Sequence, residues 1–282
     1  MAKPFVNPFV SGQFLELRVD ALVSDGRGLG RHDGVVVLVE DALPGQLVRA
    51  RVDAVRKSLA EAALVEVLER SPDEQEPPCP HAGRCGGCSW QSLAYGRQLA
   101  WKERIVHDAL ERVGKVACPP MLPILPSPSE WGYRNKMEFA FGVSGDGGKA
   151  LGLRERGSRN IVEVTGCLLQ RPLTMRVLEA VRMLSNGAFH DLDGRFLVVR
   201  EPNAGGCFVE LIVGAGGSLE AGERFAEALR AETPEVTGFA LSERLAPSDV
   251  AYGERALYAD GRLEERIGDV RLQMGHNAFF QV

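Results

Sequence analysis

The sequence contains no apolar run long enough to cross a membrane. Its longest runs, residues 35–39 and 208–213, are far shorter than the roughly 20 residues that span a bilayer. The opening stretch MAKPFVNPF lacks the basic-then-apolar order of a signal peptide, and no repeat or low-complexity tract stands out. These absences argue against the membrane, secreted and repeat classes, and we expect a cytoplasmic protein with no membrane partner.

The sequence also lacks an excess of positive charge. Its net charge of −5 argues against a uniformly basic nucleic-acid binder. The charge is uneven, however, because residues 131–160 hold six Lys or Arg against three acids, whereas residues 220–269 hold six against twelve. A local basic surface is therefore compatible with the sequence, and ordinary solvated faces are the alternative.

The six cysteines are not expected to form disulfides, because a reducing compartment keeps thiols reduced. Clustered thiols in such a protein indicate metal binding or catalysis. The remaining composition is that of a globular chain of about two domains: 282 residues, 45% of them hydrophobic and 25% charged.

Residues 14–69 alternate strand-like runs with turns rich in Gly, Asp and Pro, which predicts a small antiparallel barrel. Basic residues in its turns and strands could face a phosphate backbone. Against this, residues 1–70 carry nine bases and ten acids. The linker SPDEQEPP follows, and helical spacing then predicts a helix from about Ser92 to Val113.

A proline-rich break, CPPMLPILPSPSE, opens the next domain. The stretches WGYRNKMEFAFGV and ALGLRERG predict a hairpin, as do FLVVRE and CFVELIVG. Helices are expected from Pro172 to the Asn186-Gly187 pair and over residues 220–231. The sequence therefore predicts an α+β domain with an antiparallel sheet and not a βαβ series.

The stretch CPHAGRCGGCSW places Cys79, Cys85 and Cys88 in a C-x5-C-x2-C pattern set in glycine. Small neighbours let the backbone fold around an inorganic core and donate N–H bonds to its sulfurs. Three thiolates leave one ligand missing. Cys167 is the preferred fourth, because it lies in EVTGCLLQ between a strand and a helix.

Two other cysteines are alternatives for the fourth ligand. Cys118 lies beside prolines and Cys207 begins an apolar strand, and packing explains both. Four thiolates suit a 4Fe–4S cluster or a structural zinc ion. Zinc sites usually pair two C-x2-C units, which this sequence lacks. His81 could supplement the cysteines or could simply be exposed.

Three stretches in order resemble one family: CPHAGRCGGCSWQ, then WGYRNKMEFAFG with GLRERGSRNIVEVTGCLL, then NAFFQV. They resemble the S-adenosylmethionine-dependent RNA uracil-5-methyltransferases, of the iron–sulfur type that acts on large-subunit (23S) ribosomal RNA. The resemblance runs from about Gln13 to Val282. It implies an RNA-gripping TRAM barrel, a 4Fe–4S cluster held by Cys79, Cys85, Cys88 and Cys167, and a central domain that helps to bind RNA.

The fold that this resemblance implies is β-rich α+β. An OB-like TRAM barrel is expected over residues 10–70, and a small iron–sulfur segment with a helix over 76–116. A central antiparallel-sheet domain is expected over 120–275, and the start of a methyltransferase domain over 276–282.

In the family's chemistry, a cysteine thiolate adds to C6 of uracil, C5 takes the methyl group, and a base removes the C5 proton. The target base must first leave its stack, so contacts to the RNA backbone are needed. The candidates for RNA contact are Arg27, Arg31, Arg134, Lys136, Arg154, Arg156, Arg159 and Phe279. Gln281 matches the family glutamine that contacts S-adenosylmethionine. For each basic residue the alternative is a solvated surface, and for Phe279 and Phe280 it is core packing.

The sequence departs from the family pattern at its end. It lacks the glycine-rich cofactor turn, the Asp-Pro-Pro-type loop, the catalytic cysteine in its Ser-Cys-Asn setting and the late glutamate. We therefore expect the C-terminal Rossmann-like domain to be absent, assign no catalytic residue, and expect the chain to be monomeric and inactive. The alternatives are a stand-alone RNA-binding or redox-sensing iron–sulfur module and, with less support, an electron-transfer protein.

Overall fold

The computed structural model describes residues 7–214, 217–275 and 278. The chain divides into two compact units. The first comprises Met1–Gly83 and Cys88–Pro128, and the second comprises Arg84–Gly87 and Ser129–Val282. Within the described ranges, no helix has the length and apolar character needed to cross a membrane.

The first unit contains a closed barrel of five strands in the order β1-β2-β3-β5-β4. The strands are β1 (Phe14–Leu22), β2 (Gly28–His32), β3 (Val35–Glu40), β4 (Leu47–Val55) and β5 (Leu59–Glu69). Alternation along β1 places Leu15, Leu17 and Val19 inside. The predicted barrel is confirmed, but it is not wholly antiparallel, because β3 and β5 pair in parallel and so close it.

After the barrel, helix α1 spans Tyr95–Asp108 and continues into a π-helical turn at Ala109–Val113. The predicted helix therefore starts about one turn later than expected and ends as expected. Trp101 and Ile105 of α1 pack beside the buried Leu93. Because no residue of α1 is itself fully buried, this helix lies on the surface of its unit.

The second unit is built on a seven-stranded sheet in the order β12-β11-β10-β9-β6-β7-β8. Its elements are β6 (Lys136–Val143), β7 (Lys149–Arg154), β8 (Ile161–Val162), α2 (Pro172–Asn186), β9 (Gly194–Arg200), β10 (Cys207–Val213), α3 (Leu219–Glu232), β11 (Val236–Glu243) and β12 (Arg255–Gly261). A separate two-stranded ribbon follows, formed by β13 (Leu263–Ile267) and β14 (Val270–Met274). The two predicted hairpins and both predicted helices are present.

The prediction of an antiparallel sheet is wrong for one pair of strands, because β10 and β11 pair in parallel and α3 connects them. The physical reason is the burial of β10, all seven of whose residues are buried. A parallel partner requires a crossover of a dozen or more residues, and a helix supplies it while covering the sheet. The stretch CFVELIV is apolar except for Glu210 and lacks regular polar alternation, which is the sequence signal for such a strand. The described part of the chain thus contains a βαβ unit.

The two faces of this sheet are covered differently. Helices α2 and α3 cover one face, where Phe225 stacks on Phe239 with ring centroids 5.5 Å apart and meets Phe189 at 4.8 Å. The opposite face carries Phe196 and Ile212, on which Ala251 of the β11–β12 connection packs. The β13–β14 ribbon packs on the same face. One face is therefore a helical core, and the other is covered by a loop and a ribbon.

Helix α2 lacks a capping side chain at its own N-terminus. Glu201, which follows β9, takes that role by accepting hydrogen bonds from the backbone N–H of Thr174 at 2.6 Å and from its hydroxyl. Both residues are buried. A carboxylate at this place satisfies a backbone donor and complements the positive end of the helix dipole.

We expect Glu201→Ala to lower the free energy of unfolding by about 1–3 kcal/mol, because it leaves buried donors of Thr174 without an acceptor. Urea unfolding followed by circular dichroism measures the loss. Glu223→Ala, at an exposed position of α3, is the control and should change stability by less than about 0.5 kcal/mol. Equal effects of the two changes would contradict the capping role.

Asp260 of β12 joins α3 to the sheet. It accepts hydrogen bonds from two nitrogens of Arg230, one of them at 2.8 Å, from the hydroxyl of Tyr258, and from the N–H of Phe239 at 3.1 Å. Burial raises the pKa of Asp260, but the hydrogen bonds from Arg230, Tyr258 and Phe239 and the charge of Arg230 lower it, and the net pKa lies below the usual value. The folded protein therefore favours the ionised carboxylate.

A lowered folded-state pKa stabilises the protein at pH values above the pKa of the unfolded chain, near 4, and the stabilisation is lost as the pH falls. We therefore expect Asp260→Asn to destabilise the protein by about 1–3 kcal/mol at pH 7 and by less at pH 3. Unfolding curves at both pH values measure the difference. Asp269→Asn, in the exposed β13–β14 turn, should show neither effect; a loss that is the same at both pH values would refute the assignment.

Candidate nucleic-acid interface and cysteine segment

The two barrel arginines predicted to contact RNA differ in their surroundings. Arg27 lies 2.7 Å from Asp25 and 3.9 Å from Glu61. Its hydrogen bond lowers the pKa of Asp25, so this pair is ionised and internally compensated. Arg31, in β2, is exposed and has no acidic side chain within 4.0 Å among residues that the structure describes. Arg31 is therefore the better placed of the two for a phosphate.

Most other arginines on the barrel surface are neutralised by carboxylates. The pairs are Arg18–Glu69, Arg49–Glu16, Arg49–Glu66, Arg51–Asp53 and Arg56–Glu61. Exposed pairs of this kind contribute little stability. They do reduce the local positive potential, which agrees with the near balance of bases and acids in the sequence of this region.

Residues 84–87 of the cysteine segment, which comprises residues 79–88, belong to the second unit. The N–H of Gly86 donates to the carbonyl of Arg154 at 3.0 Å, and the N–H of Arg156 donates to the carbonyl of Arg84 at 2.8 Å. A Cβ on Gly86 would lie 3.3 Å from the Arg154 carbonyl oxygen, so glycine permits this approach. Cys85 is thereby held near two predicted RNA contacts, Arg154 at the end of β7 and Arg156 just after it.

The predicted cluster ligands Cys79, Cys85, Cys88 and Cys167 are all partly exposed. The N–H of Gly87 donates to the sulfur of Cys85 at 3.4 Å, a contact of the kind that supports cluster sulfurs. However, no three His, Cys, Asp or Glu side chains are grouped as metal ligands anywhere in the described ranges. The described residues thus include the four candidate thiols, but they are not grouped as metal ligands.

Cys207 differs from the other cysteines because it is fully buried at the start of β10. Burial raises the pKa of its thiol to about 12. The thiol is therefore protonated at neutral pH and is neither a nucleophile nor a ready metal ligand. This agrees with the packing role expected for it.

The remaining basic candidates fall into two groups. Lys136 lies 2.6 Å from Glu138 and is compensated. Arg134 is exposed, with no acidic partner within 4.0 Å in the described part of the chain, and it follows Tyr133, whose exposed fraction is 54%. An aromatic ring next to an arginine is typical of single-stranded nucleic-acid contacts. Sequence reasoning missed Tyr133, although its position next to Arg134 was visible.

Arg154 and Arg159 are brought together by the fold. They line a cavity of about 330 Å³ with Arg195, Arg244, Phe141, Phe196 and residues 246–249. We call it the arginine cavity. Sequence reasoning missed Arg195, Arg244 and the phenylalanines, because these residues come from separate elements and no local pattern connects them. Phe279, Phe280 and Gln281 lie outside the described residues.

Three kinds of comparison with known proteins show what this chain is similar to. The TRAM domain family matches residues 8–65. An uncharacterized RNA methyltransferase of Nitratidesulfovibrio vulgaris is 44% identical over 97% of this chain and 61% of its own length. Another, of Thermosynechococcus vestitus, is 32% identical over 96% of this chain and 62% of its own length.

Among solved structures, the chain resembles Pyrococcus abyssi tRNA (uracil-54, C5)-methyltransferase in complex with S-adenosyl-L-homocysteine. The TM-score is 0.68 at 23% identity, and the match covers 94% of this chain and 61% of that one. At this identity the likeness shows a shared fold. The chain spans about three fifths of the length of the proteins that it matches.

These matches correct two expectations from the sequence: that a C-terminal Rossmann-like domain is absent, and that the chain is inactive. A relative described as an RNA methyltransferase matches 97% of the chain, and the solved structure of a methyltransferase matches 94% of it. Because these matches run along nearly all of the chain, both expectations are overturned. They rested on where the sequence ends, which is not evidence about a protein's domains or activity.

The RNA-binding part of the resemblance has firmer support, because a closed five-stranded barrel occupies the residues that the family model matches. The iron–sulfur type is not shown by any of these comparisons. Residues 8–65 are a TRAM domain, and the chain is similar along almost its whole length to RNA methyltransferases.

Proposed function

We propose that this protein is an RNA methyltransferase that moves a methyl group from S-adenosylmethionine to C5 of a uridine. The observation that carries the proposal is the TRAM domain within a chain that is 44% identical to an RNA methyltransferase along 97% of its length. The Pyrococcus protein, which shares the fold, acts on C5 of a uracil and holds S-adenosyl-L-homocysteine, the demethylated form of the donor.

We infer RNA contacts first at two arginines whose charges no described carboxylate compensates. Arg31 on the barrel and Arg134 beside Tyr133 are exposed and lack acidic partners in the described ranges. Arg154, Arg156 and Arg159 lie on or next to the strand that is bonded to the cysteine segment. Backbone contacts of this kind offset the few kcal/mol that it costs to take a base out of its stack.

The substrate that we propose is ribosomal RNA, on the basis of the cysteine pattern that resembles the iron–sulfur type. Gln281 would contact the methyl donor and Phe279 would lie near the extruded base. A monomer is sufficient for these roles. Transfer RNA is the competing substrate, because the Pyrococcus protein is described as acting on tRNA.

We expect the protein to transfer a labelled methyl group from S-adenosylmethionine to unmodified ribosomal RNA. Nuclease digestion and mass spectrometry should identify the product nucleoside as 5-methyluridine. Transfer RNA transcripts and RNA made with 5-fluorouridine are the controls, since the fluorine blocks removal of the C5 substituent as a proton. RNA binding without any methylated nucleoside would overturn the proposal in favour of a stand-alone RNA-binding module.

We further infer that Cys79, Cys85, Cys88 and Cys167 hold a 4Fe–4S cluster. The glycine-rich surroundings and the N–H···S bond from Gly87 to Cys85 support this ligand set.

We expect the anaerobically purified protein to be brown and to contain iron and sulfide. Cys85→Ser and Cys167→Ser should each lose most of the visible absorbance, because each removes one of four thiolates. Cys118→Ser is the matched control and should retain it. A colourless protein that contains zinc, or retention of iron in both serine variants, would contradict the assignment.

A further inference from the structure

The lining of the arginine cavity contains more positively charged side chains than negatively charged ones. Four arginines and a single carboxylate, Asp249, line it. Asp249 lies 2.8 Å from Arg154. Arg159 has no acidic side chain within 4.0 Å in the described part of the chain. The cavity wall therefore presents at least one guanidinium group whose charge no neighbouring carboxylate offsets.

The other two arginines are held from outside the cavity. Arg195 lies 2.8 Å from Asp193, which is not part of the lining. Arg244 donates to the carbonyl of Tyr252 at 2.8 Å, and its Nε lies 3.9 Å from Glu254, too far for a hydrogen bond. These contacts hold the two side chains in place on the cavity wall.

The Nε of Arg244 is buried and has no hydrogen-bond acceptor among the described residues. The side chain as a whole is only 16% exposed. A buried N–H without an acceptor is unfavourable and uncommon in folded proteins, so it calls for an explanation. An anionic ligand in the cavity would supply the acceptor.

Two phenylalanine rings give the cavity an apolar surface. Phe196 is almost completely buried, and Phe141 is only partly so. A Cβ on Gly194 would lie 2.9 Å from three carbons of the Phe141 ring, so the glycine lets this ring lie against β9. Planar apolar rings beside guanidinium groups suit a ligand that has both a base and a phosphate.

We propose that the arginine cavity binds one nucleotide of single-stranded RNA, with its phosphate on Arg159, Arg195 and Arg244 and its base against the phenylalanines. This proposal rests on the proposed function for the choice of RNA as the ligand. A volume of about 330 Å³ is at the lower end of small-ligand pockets and limits the occupant to one nucleotide.

The nucleotide in the cavity is not the one that is methylated. No cysteine lines the cavity, and its one carboxylate is engaged by Arg154. The lining therefore contains no group that could add to C6 of a uracil and no free base for the C5 proton. The cavity positions a neighbouring nucleotide and leaves the chemistry to another site.

The test is the binding of a fluorescent, uridine-rich single-stranded RNA, measured by anisotropy over a range of salt concentrations. Arg159→Gln removes the uncompensated charge, and Ser248→Glu adds a negative charge to the lining while all four arginines remain. Arg176→Gln, an exposed arginine of α2 paired with Glu235, is the matched control. Thermal unfolding checks that each variant is folded.

We expect Arg159→Gln and Ser248→Glu to weaken binding at low salt by about tenfold, as for the loss of one charge-assisted contact. Arg159→Gln should also reduce the slope of log affinity against log salt by about 0.7, the value for one phosphate of a single strand. Arg176→Gln should change neither quantity. Wild-type binding by both cavity variants would overturn the proposal.

Two parallel measurements separate the possible causes of failure. Uridine monophosphate that competes as strongly as the RNA would show a free-nucleotide site and overturn the choice of RNA. Methylation is assayed on the same samples. RNA binding that depends on Arg159 in a protein without methylation would refute the proposed function and leave the cavity assignment intact. Methylation with unchanged binding by both variants would refute only the cavity assignment.

Discussion

The burial of strand β10 is the constraint on which the second unit depends. All seven of its residues are buried, so both faces of the sheet must be covered there. One neighbour, β9, pairs antiparallel with it, and the other, β11, pairs in parallel, which requires the α3 crossover. The crossover covers one face. The other face is left to the β11–β12 connection and the β13–β14 ribbon, and the arginine cavity forms under that connection.

Whether a basic side chain is available to bind RNA depends on the carboxylates near it and not on the numbers of bases and acids in the sequence. The barrel carries many arginines, but most lie within hydrogen-bonding distance of a carboxylate, so they contribute little potential for RNA. The same is true of Lys136 in the second unit. Positive charge is left over at Arg31, Arg134 and Arg159. An acidic protein can thus have separate places suited to a phosphate backbone, because long-range charge is screened and local pairing matters more.

Much of the fold could be predicted because it depends on local sequence patterns. Alternation along β1 identified the barrel, and an apolar stripe after Pro172 identified α2. The parallel pairing of β10 and β11 was missed, since strand direction is set by the crossover and not by the strand's own residues. The expectation of a missing domain failed for a different reason: it was drawn from the end of the sequence and not from any physical property of the residues present.

The sequence by itself determined the strands, the helices, the TRAM barrel and the C-x5-C-x2-C pattern, because each depends on residues close together in the chain. Only the tertiary structure decided which arginines are compensated, that Cys207 is too buried to ionise, and that Glu201 caps α2. It also decided that Arg154, Arg159, Arg195 and Arg244 share one cavity. These properties depend on distances between residues far apart in sequence, which no local pattern of side chains specifies.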